Sequence, residues 1–155
     1  MKTPARVDGT YLLMADGAAR GNPGPAAYGF VLAAPDGQPV AEEGVTLGRA
    51  TNNVAEYEGL LAGLERARHL GVRRLAVRLD SELVVRQMNG LYRVKNAGLR
   101  PLFERARILC AHFESVTFEH VRREANRRAD ELANQALDAP RGGRVGSQTG
   151  DRGGP

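Results

Sequence analysis

The chain has 155 residues, with 22 Lys and Arg against 18 Asp and Glu, a formal net charge of +4 and a pI near 9.7. That length fits one domain with a core of its own, and the basic excess favours polyanionic partners such as nucleic acid. The single cysteine, Cys110, excludes an internal disulfide framework and fits a reducing, cytoplasmic setting. No apolar run approaches the ~18 residues of a membrane span, so no membrane partner is expected. With no Trp, four Tyr and four Phe, base stacking is expected to matter less than contacts to a sugar-phosphate backbone.

Residues 1–9 read as a flexible polar N-terminus, 10–138 as one folded domain, and the Gly- and Arg-rich stretch 139–155, with almost nothing to bury, as a disordered tail. Within the domain, Thr10 to Asp16 is apolar enough for a buried strand that ends in a carboxylate. Asp16 to Pro25 then reads D-G-A-A-R-G-N-P-G-P. Its glycines and prolines predict turns that bring main-chain N–H groups towards whatever Asp16 faces, although alone they also read as an ordinary hairpin loop. Ala26–Ala34 predicts a second strand, Pro35-Asp36-Gly37-Gln38 a hairpin turn, and Val40–Leu47 a third strand antiparallel to the second.

Thr51-Asn52-Asn53 offers a helix N-cap, and Tyr57, Leu60, Leu61, Leu64 and Ala67 follow at helical spacing to a stop near Gly71. Glu56 borders that stripe and is directed at a neighbouring strand end, though an acid early in a helix is also an ordinary response to the helix dipole. Leu75, Val77 and Leu79 predict a fourth strand running into Asp80-Ser81. A right-handed crossover makes it the parallel neighbour of the first strand, so Asp16 and Asp80 emerge at one edge. Either Asp80 or Ser81 can cap the short helix carrying Leu83, Val84, Gln87 and Met88.

Asn89-Gly90 breaks that helix. Leu99, Leu102, Phe103, Ala106, Cys110 and Phe113 mark the next, with Pro101 in its first turn and Cys110 as a core thiol. Val116–Val121 predicts a fifth strand, and Ala129, Leu132, Ala133 and Ala136 a last helix. Asp130 borders its stripe, one turn after Asn126, and locally also reads as a partner for the surrounding arginines.

Four acids, Asp16, Glu56, Asp80 and Asp130, therefore lie at strand ends or on inward helix edges. Carboxylates brought together repel unless cations compensate them. An all-oxygen set without a His or Cys cluster suits Mg²⁺, with Mn²⁺ as a substitute, and argues against zinc. Two such ions about 4 Å apart support in-line displacement at a phosphodiester.

Four ordered motifs, D-G-A-A-R-G-N-P-G-P-A-A-Y-G, T-N-N-V-A-E-Y-E-G-L, L-D-S-E-L-V-V and R-E-A-N-R-R-A-D-E-L-A, span roughly Thr10 to Leu137 and resemble the ribonuclease H type 1 family. The resemblance implies an α/β, ribonuclease H-like fold: a five-stranded mixed sheet in order 3-2-1-4-5 with helices on both faces. It implies endonucleolytic cleavage of the RNA strand of RNA/DNA hybrids with two metal ions, leaving 5′-phosphate and 3′-hydroxyl ends. Asp16, Glu56, Asp80 and Asp130 become the metal-binding catalytic set. Gly21 and Asn22 match a loop that touches the RNA strand, Asn52 and Asn53 match readers of the minor groove and 2′-hydroxyls, Thr51 matches a DNA phosphate contact, and Gly17 is counted with them as substrate-binding. Hybrid is the implied partner, with no obligatory protein partner and a monomer sufficient.

Two departures from many bacterial members stand out. The basic, tryptophan-bearing protrusion is missing between Met88 and Asn96, as in the protrusion-less branch. The loop that carries a mobile histidine in those members is shortened to Arg122-Arg123-Glu124-Ala125-Asn126. Arg123 is the candidate substitute for that histidine, Glu124 the second, and His120 is read as structural. Two other functions compete: a catalytically silent hybrid- or duplex-binding module, and a different nuclease of the same fold such as a resolvase or transposase core.

Overall fold

The computed structural model describes residues 9–139 and 144–146. Residues 1–8 and the rest of the expected tail lie outside the described residues. The elements are β1 Thr10–Ala19, β2 Gly24–Ala33, β3 Pro39–Ala50, α1 Asn52–His69, β4 Arg74–Leu79, α2 Glu82–Met88, α3 Arg100–Cys110, β5 Ser115–His120, a 3₁₀ turn Arg123–Asn126, α4 Arg127–Asp138 and β6 Arg144–Val145. The sheet runs β5-β4-β1-β2-β3-β6. β1, β4 and β5 are parallel; β1–β2, β2–β3 and β3–β6 are antiparallel.

The expected order of five strands is present, but the sheet has a sixth. Arg144 ion-pairs with Glu43 at 2.9 Å, and Val145 packs against a small cluster of Ala27, Ala133 and Ala136. A single apolar residue in a Gly-rich stretch gave the sequence no strand period to read. The exposed edge of β3 supplies the pairing instead.

A second correction concerns β1, which does not end at Asp16. Its parallel partner β4 stops at Leu79 opposite Ala15, whereas β2 goes on pairing through Gly17, Ala18 and Ala19. Asp16 therefore stands where half of the ladder ends and one strand continues.

Glycines decide how closely the helices approach. A Cβ on Gly17 would lie 2.2 Å from the carbonyl carbon of Ala55 in α1, and one on Gly29 would lie 2.3 Å from the carbonyl oxygen of Ala129 in α4. Side chains alternate along a strand, and Asp16 pairs with Gly29 while Gly17 pairs with Tyr28, so the two approaches are on opposite faces. On the α1 side lies the main core, including fully buried Tyr57, Leu60, Leu61 and Leu64 from the helix and Leu13, Leu75 and Val77 from the sheet. Gly59 and Gly63 continue the close seam, the latter against Leu13. On the α4 side, Gly44 pairs with Gly29 and lies directly under the backbone of Leu132.

Candidate active site

β1 carries Asp16, which is 5 % exposed. The N-terminal half of α1 brings Glu56 over Gly17, the peptide N of Glu56 lying 2.3 Å from where a Gly17 Cβ would be. Thr51 caps this helix, its hydroxyl accepting from the N–H of Val54 at 3.2 Å, and no acid occupies the first turn. Glu56 thus lies past the region where the helix dipole would account for it. Asp80 follows β4 directly. Ser81, not Asp80, caps α2 by accepting from Val84 N–H at 3.2 Å, which leaves the Asp80 carboxylate for the site.

One oxygen from each of Asp16, Glu56 and Asp80 lies within 4.8 Å of the others. Asp130, in the first turn of α4, stands outside that triplet but close enough to raise the pKa of Asp16. All four line a cleft of about 540 Å³ with Gly17, Asn52, His120, Arg122 and Arg123.

The family model described as reverse transcriptase-like matches residues 14–136. Ribonuclease HI of Halobacterium salinarum is 51% identical over 123 residues, 79% of this chain and 62% of that protein. The crystal structure of RNase H1 from that archaeon superposes with a TM-score of 0.81 at 49% identity, covering 84% of this chain and 98% of that one. A bifunctional protein of Mycobacterium tuberculosis is 50% identical over 129 residues, 83% of this chain but 35% of its own length. A solved LC11-RNase H1 in complex with RNA/DNA hybrid gives a TM-score of 0.79 at 41% identity, covering 83% of this chain and 96% of that one. The chain belongs to the ribonuclease H-like, reverse transcriptase-like family. It spans about a third of the mycobacterial relative and under two thirds of the archaeal protein.

In this ribonuclease H-like site the electrostatics follow from burial. Burial is the main reason the Asp16 carboxyl is pushed up to about 10, and Glu56, Asp80 and Asp130 add repulsion or a hydrogen bond that favours the protonated form. Glu56 is pushed up to about 8, again mainly by burial and then by Asp80, with hydrogen bonds from Asp16 and the Gly17 N–H and the charge of Arg123 opposing. Oε1 of Glu56 is buried without a hydrogen-bond partner. Among the described residues no Lys or Arg ion-pairs with any of the four acids. An all-oxygen set with an orphaned buried oxygen and no ion pair to a Lys or Arg fits a divalent metal ion.

The expected substrate residues divide. Gly17 and Asn52 line the cleft; Gly21, Asn22, Thr51 and Asn53 do not. Gly21 sits at the tip of the β1–β2 hairpin with φ +95°, where a side chain would be strained. Asn22 Oδ1 accepts from the N–H of Asn52 at 2.9 Å, and Asn52 Oδ1 accepts from the N–H of Ala19 at 2.9 Å. These two asparagines clip the hairpin to the start of α1, and Asn53 is exposed beside them.

His120, read from the sequence as structural, is exposed and lines the cleft with Arg122 and Arg123. It pairs across the ladder with Leu79, one residue before Asp80. Strand alternation alone could not reveal this, because which side chains border the cleft depends on the segments packed at that end of the sheet.

Two asparagines matter beyond the motif acids. Asn126 is fully buried and donates through Nδ2 to the carbonyl of Ala15 at 2.8 Å, fixing the start of α4 beside Asp16. Asn134 donates through Nδ2 to the side chain of Asp130 at 3.2 Å. Its only signal in sequence is a position four residues after that acid.

Proposed function

We propose that this protein is an endoribonuclease that hydrolyses the RNA strand of RNA/DNA hybrids by two-metal-ion catalysis, leaving 5′-phosphate and 3′-hydroxyl ends. The observation that carries the reading is the approach of Asp16, Glu56 and Asp80 within 4.8 Å, with no salt bridge to any of them among the described residues. Asp16, Glu56, Asp80 and Asp130 would hold Mg²⁺, or Mn²⁺ in its stead. Bound there, the ions supply an activated water and charge stabilisation at the leaving oxygen.

The rest of the chemistry belongs to the chain. Asp16 is central because it faces all three other acids. The oxygen of Glu56 left unpartnered by the protein is set for a ligand. Arg122 and Arg123, which line the cleft, would attract the phosphate backbone, and Arg123, whose charge reaches Glu56, would act on the reacting or departing phosphate. Gly17 offers main chain alone to the cleft it lines, its missing side chain being what lets α1 bring Glu56 close. Asn52 presents a short amide of the kind that can recognise a 2′-hydroxyl, the group that separates RNA from DNA; Asn53, Gly21, Asn22 and Thr51 flank it as substrate contacts. A hybrid-bound structure of a relative 41% identical to this chain supports hybrid as substrate. All four acids come from one chain, so a monomer suffices.

The test is cleavage of end-labelled RNA/DNA hybrid beside RNA duplex, DNA duplex and single-stranded RNA, with Mg²⁺, Mn²⁺ or chelator. Cutting of the hybrid's RNA strand that stops with chelator is expected, with Arg123→Ala turning over more slowly at nearly unchanged hybrid affinity. Hybrid binding without cutting under either metal would favour the silent module instead.

A further inference from the structure

Asp130 differs from its three partners in how it is held. Asp16 is fixed within β1, Asp80 directly after β4 and Glu56 by a helix pressed against the backbone of β1, whereas Asp130 lies half-buried near the start of α4, outside the 4.8 Å triplet. A carboxylate there has rotamers that face the cleft and rotamers that face water.

What restricts it is a polar line along one side of α4. Asp130, Asn134 and Asp138 are spaced four apart, one above the other on the helix. Asn134 Nδ2 donates to both the backbone carbonyl and the side-chain Oδ1 of Asp130, at 3.0 and 3.2 Å. Asn134 Oδ1 accepts from Arg20 Nη2 at 3.2 Å, and the other arm of that guanidinium, Nη1, pairs with Asp138 at 2.9 Å. Arg20 belongs to the tip of the β1–β2 hairpin, next to Gly21 and Asn22.

From this arrangement we infer that Asn134 is a positioning residue of the site: it holds the Asp130 carboxylate towards Asp16 and, through Arg20, ties that orientation to the hairpin tip expected to meet the RNA strand. The inference rests on the functional reading above for the identity of the strand. An amide is required at position 134 because it must donate towards Asp130 and accept from Arg20 at once. A carboxylate of the same size would still accept from Arg20 but could not donate, and would add repulsion beside Asp130. An apolar side chain of the same size would do neither.

The experiment measures Mn²⁺ affinity by calorimetry without nucleic acid, together with steady-state cleavage of a hybrid. Wild type is compared with Asn134→Leu, Asn134→Asp and Asp138→Asn, the last interrupting only the far arm of Arg20. For both Asn134 variants Mn²⁺ affinity and kcat are expected to fall roughly tenfold or more, the usual effect of losing a partner behind a metal ligand, with KM within about twofold. Asp138→Asn is expected to stay within about twofold of wild type in all three quantities.

Wild-type Mn²⁺ affinity and kcat in Asn134→Leu would overturn the inference; if that variant does not fold, Asn134→Asp, closest in volume, decides it. Tighter Mn²⁺ binding by Asn134→Asp would also overturn it, since added charge would then outweigh lost orientation. Equal losses in Asp138→Asn would overturn it by assigning the effect to anchorage of the hairpin. A wild-type protein that binds Mn²⁺ but does not cut hybrid would sink the functional reading alone, and the relative Mn²⁺ affinities would still decide this one.

Discussion

The two faces of the sheet bring an acid to Asp16 by the same device and hold it by different forces. On one face α1 lies on Gly17, on the other α4 lies on Gly29 and Gly44, and in each case a strand glycine lets a helix backbone come within contact of the ladder. Behind α1, however, stands the large core with Tyr57, Leu60, Leu61 and Leu64 fully buried. Behind α4 the buried apolar residues are mostly alanines with Leu132, and the helix is secured by Asn126 to Ala15, Arg20 to Asn134 and Asp138, and Arg128 to Glu42. Burial of large side chains fixes Glu56 with little regard to solvent conditions, whereas partly exposed ion pairs and amides fix Asp130 with forces that salt weakens. Position by packing and position by hydrogen bonding thus meet at one carboxylate cluster.

The largest effect is expected at the point both faces serve. Asp16→Asn should lower hybrid cleavage roughly a thousandfold, several kcal/mol of transition-state stabilisation, while raising the melting temperature of the metal-free protein. The sign follows from Asp16 being pushed up to about 10 and Glu56 to about 8. A carboxyl whose pKa is raised on folding contributes stability below its unfolded value near 4, and that contribution is lost as pH rises towards the folded value. In chelator, therefore, wild-type melting temperature should fall between pH 5 and pH 9, Asp16→Asn should fall less, and Mg²⁺ at pH 8 should restore much of the loss. Melting curves across that range check all three, and a flat wild-type profile would contradict the clustering of the acids.

A sharper test of the contrast is to add one methyl group on each face. Gly17→Ala would meet backbone of α1 that the core prevents from moving, and is expected to cost about 3 kcal/mol, the upper part of the overpacking range, or roughly 6–12 °C in melting temperature. Gly29→Ala would meet α4, which has little packed behind it and can shift, so about 1 kcal/mol is expected. Its activity should nevertheless fall, because the shift carries Asp130 with it. The reverse order of stability losses in thermal melts would break the distinction between the faces. The smallest effect belongs to the sixth strand: Arg144 is 69 % exposed but its partner Glu43 only 9 %, and Glu43 keeps Arg66 at 3.4 Å, so Arg144→Ala should cost about 1 kcal/mol and leave cleavage unchanged.

How much of this was legible beforehand differs by residue. Asp16, Glu56, Asp80 and Asp130 were legible because each sits against a periodic apolar pattern, and the crossover between β1 and β4 has a fixed hand that brings two of them to one edge. The helix starts followed from Thr51, from Asp80 or Ser81, and from Pro101, residues whose local chemistry acts on their own backbone; only the structure chose Ser81. Gly17 was legible as a glycine but not for its reason: it reads as a turn former, and only the nearness of Ala55 shows that it makes room for a helix. Gly29 and Gly44, which look like interruptions in a strand, gain meaning only from α4 above them.

Asn134 and Arg20 are separated by more than a hundred residues, and no local pattern joins them. His120 reads as one more strand residue until the sheet edge places it in the cleft. The sequence by itself determined five of the six strands, the helices, their order and where the four acids fall along them, because those depend on period, capping and handedness within short windows. Only the tertiary structure decided how closely the helices approach and which amide holds which acid, because those depend on contacts between distant segments that leave no local trace.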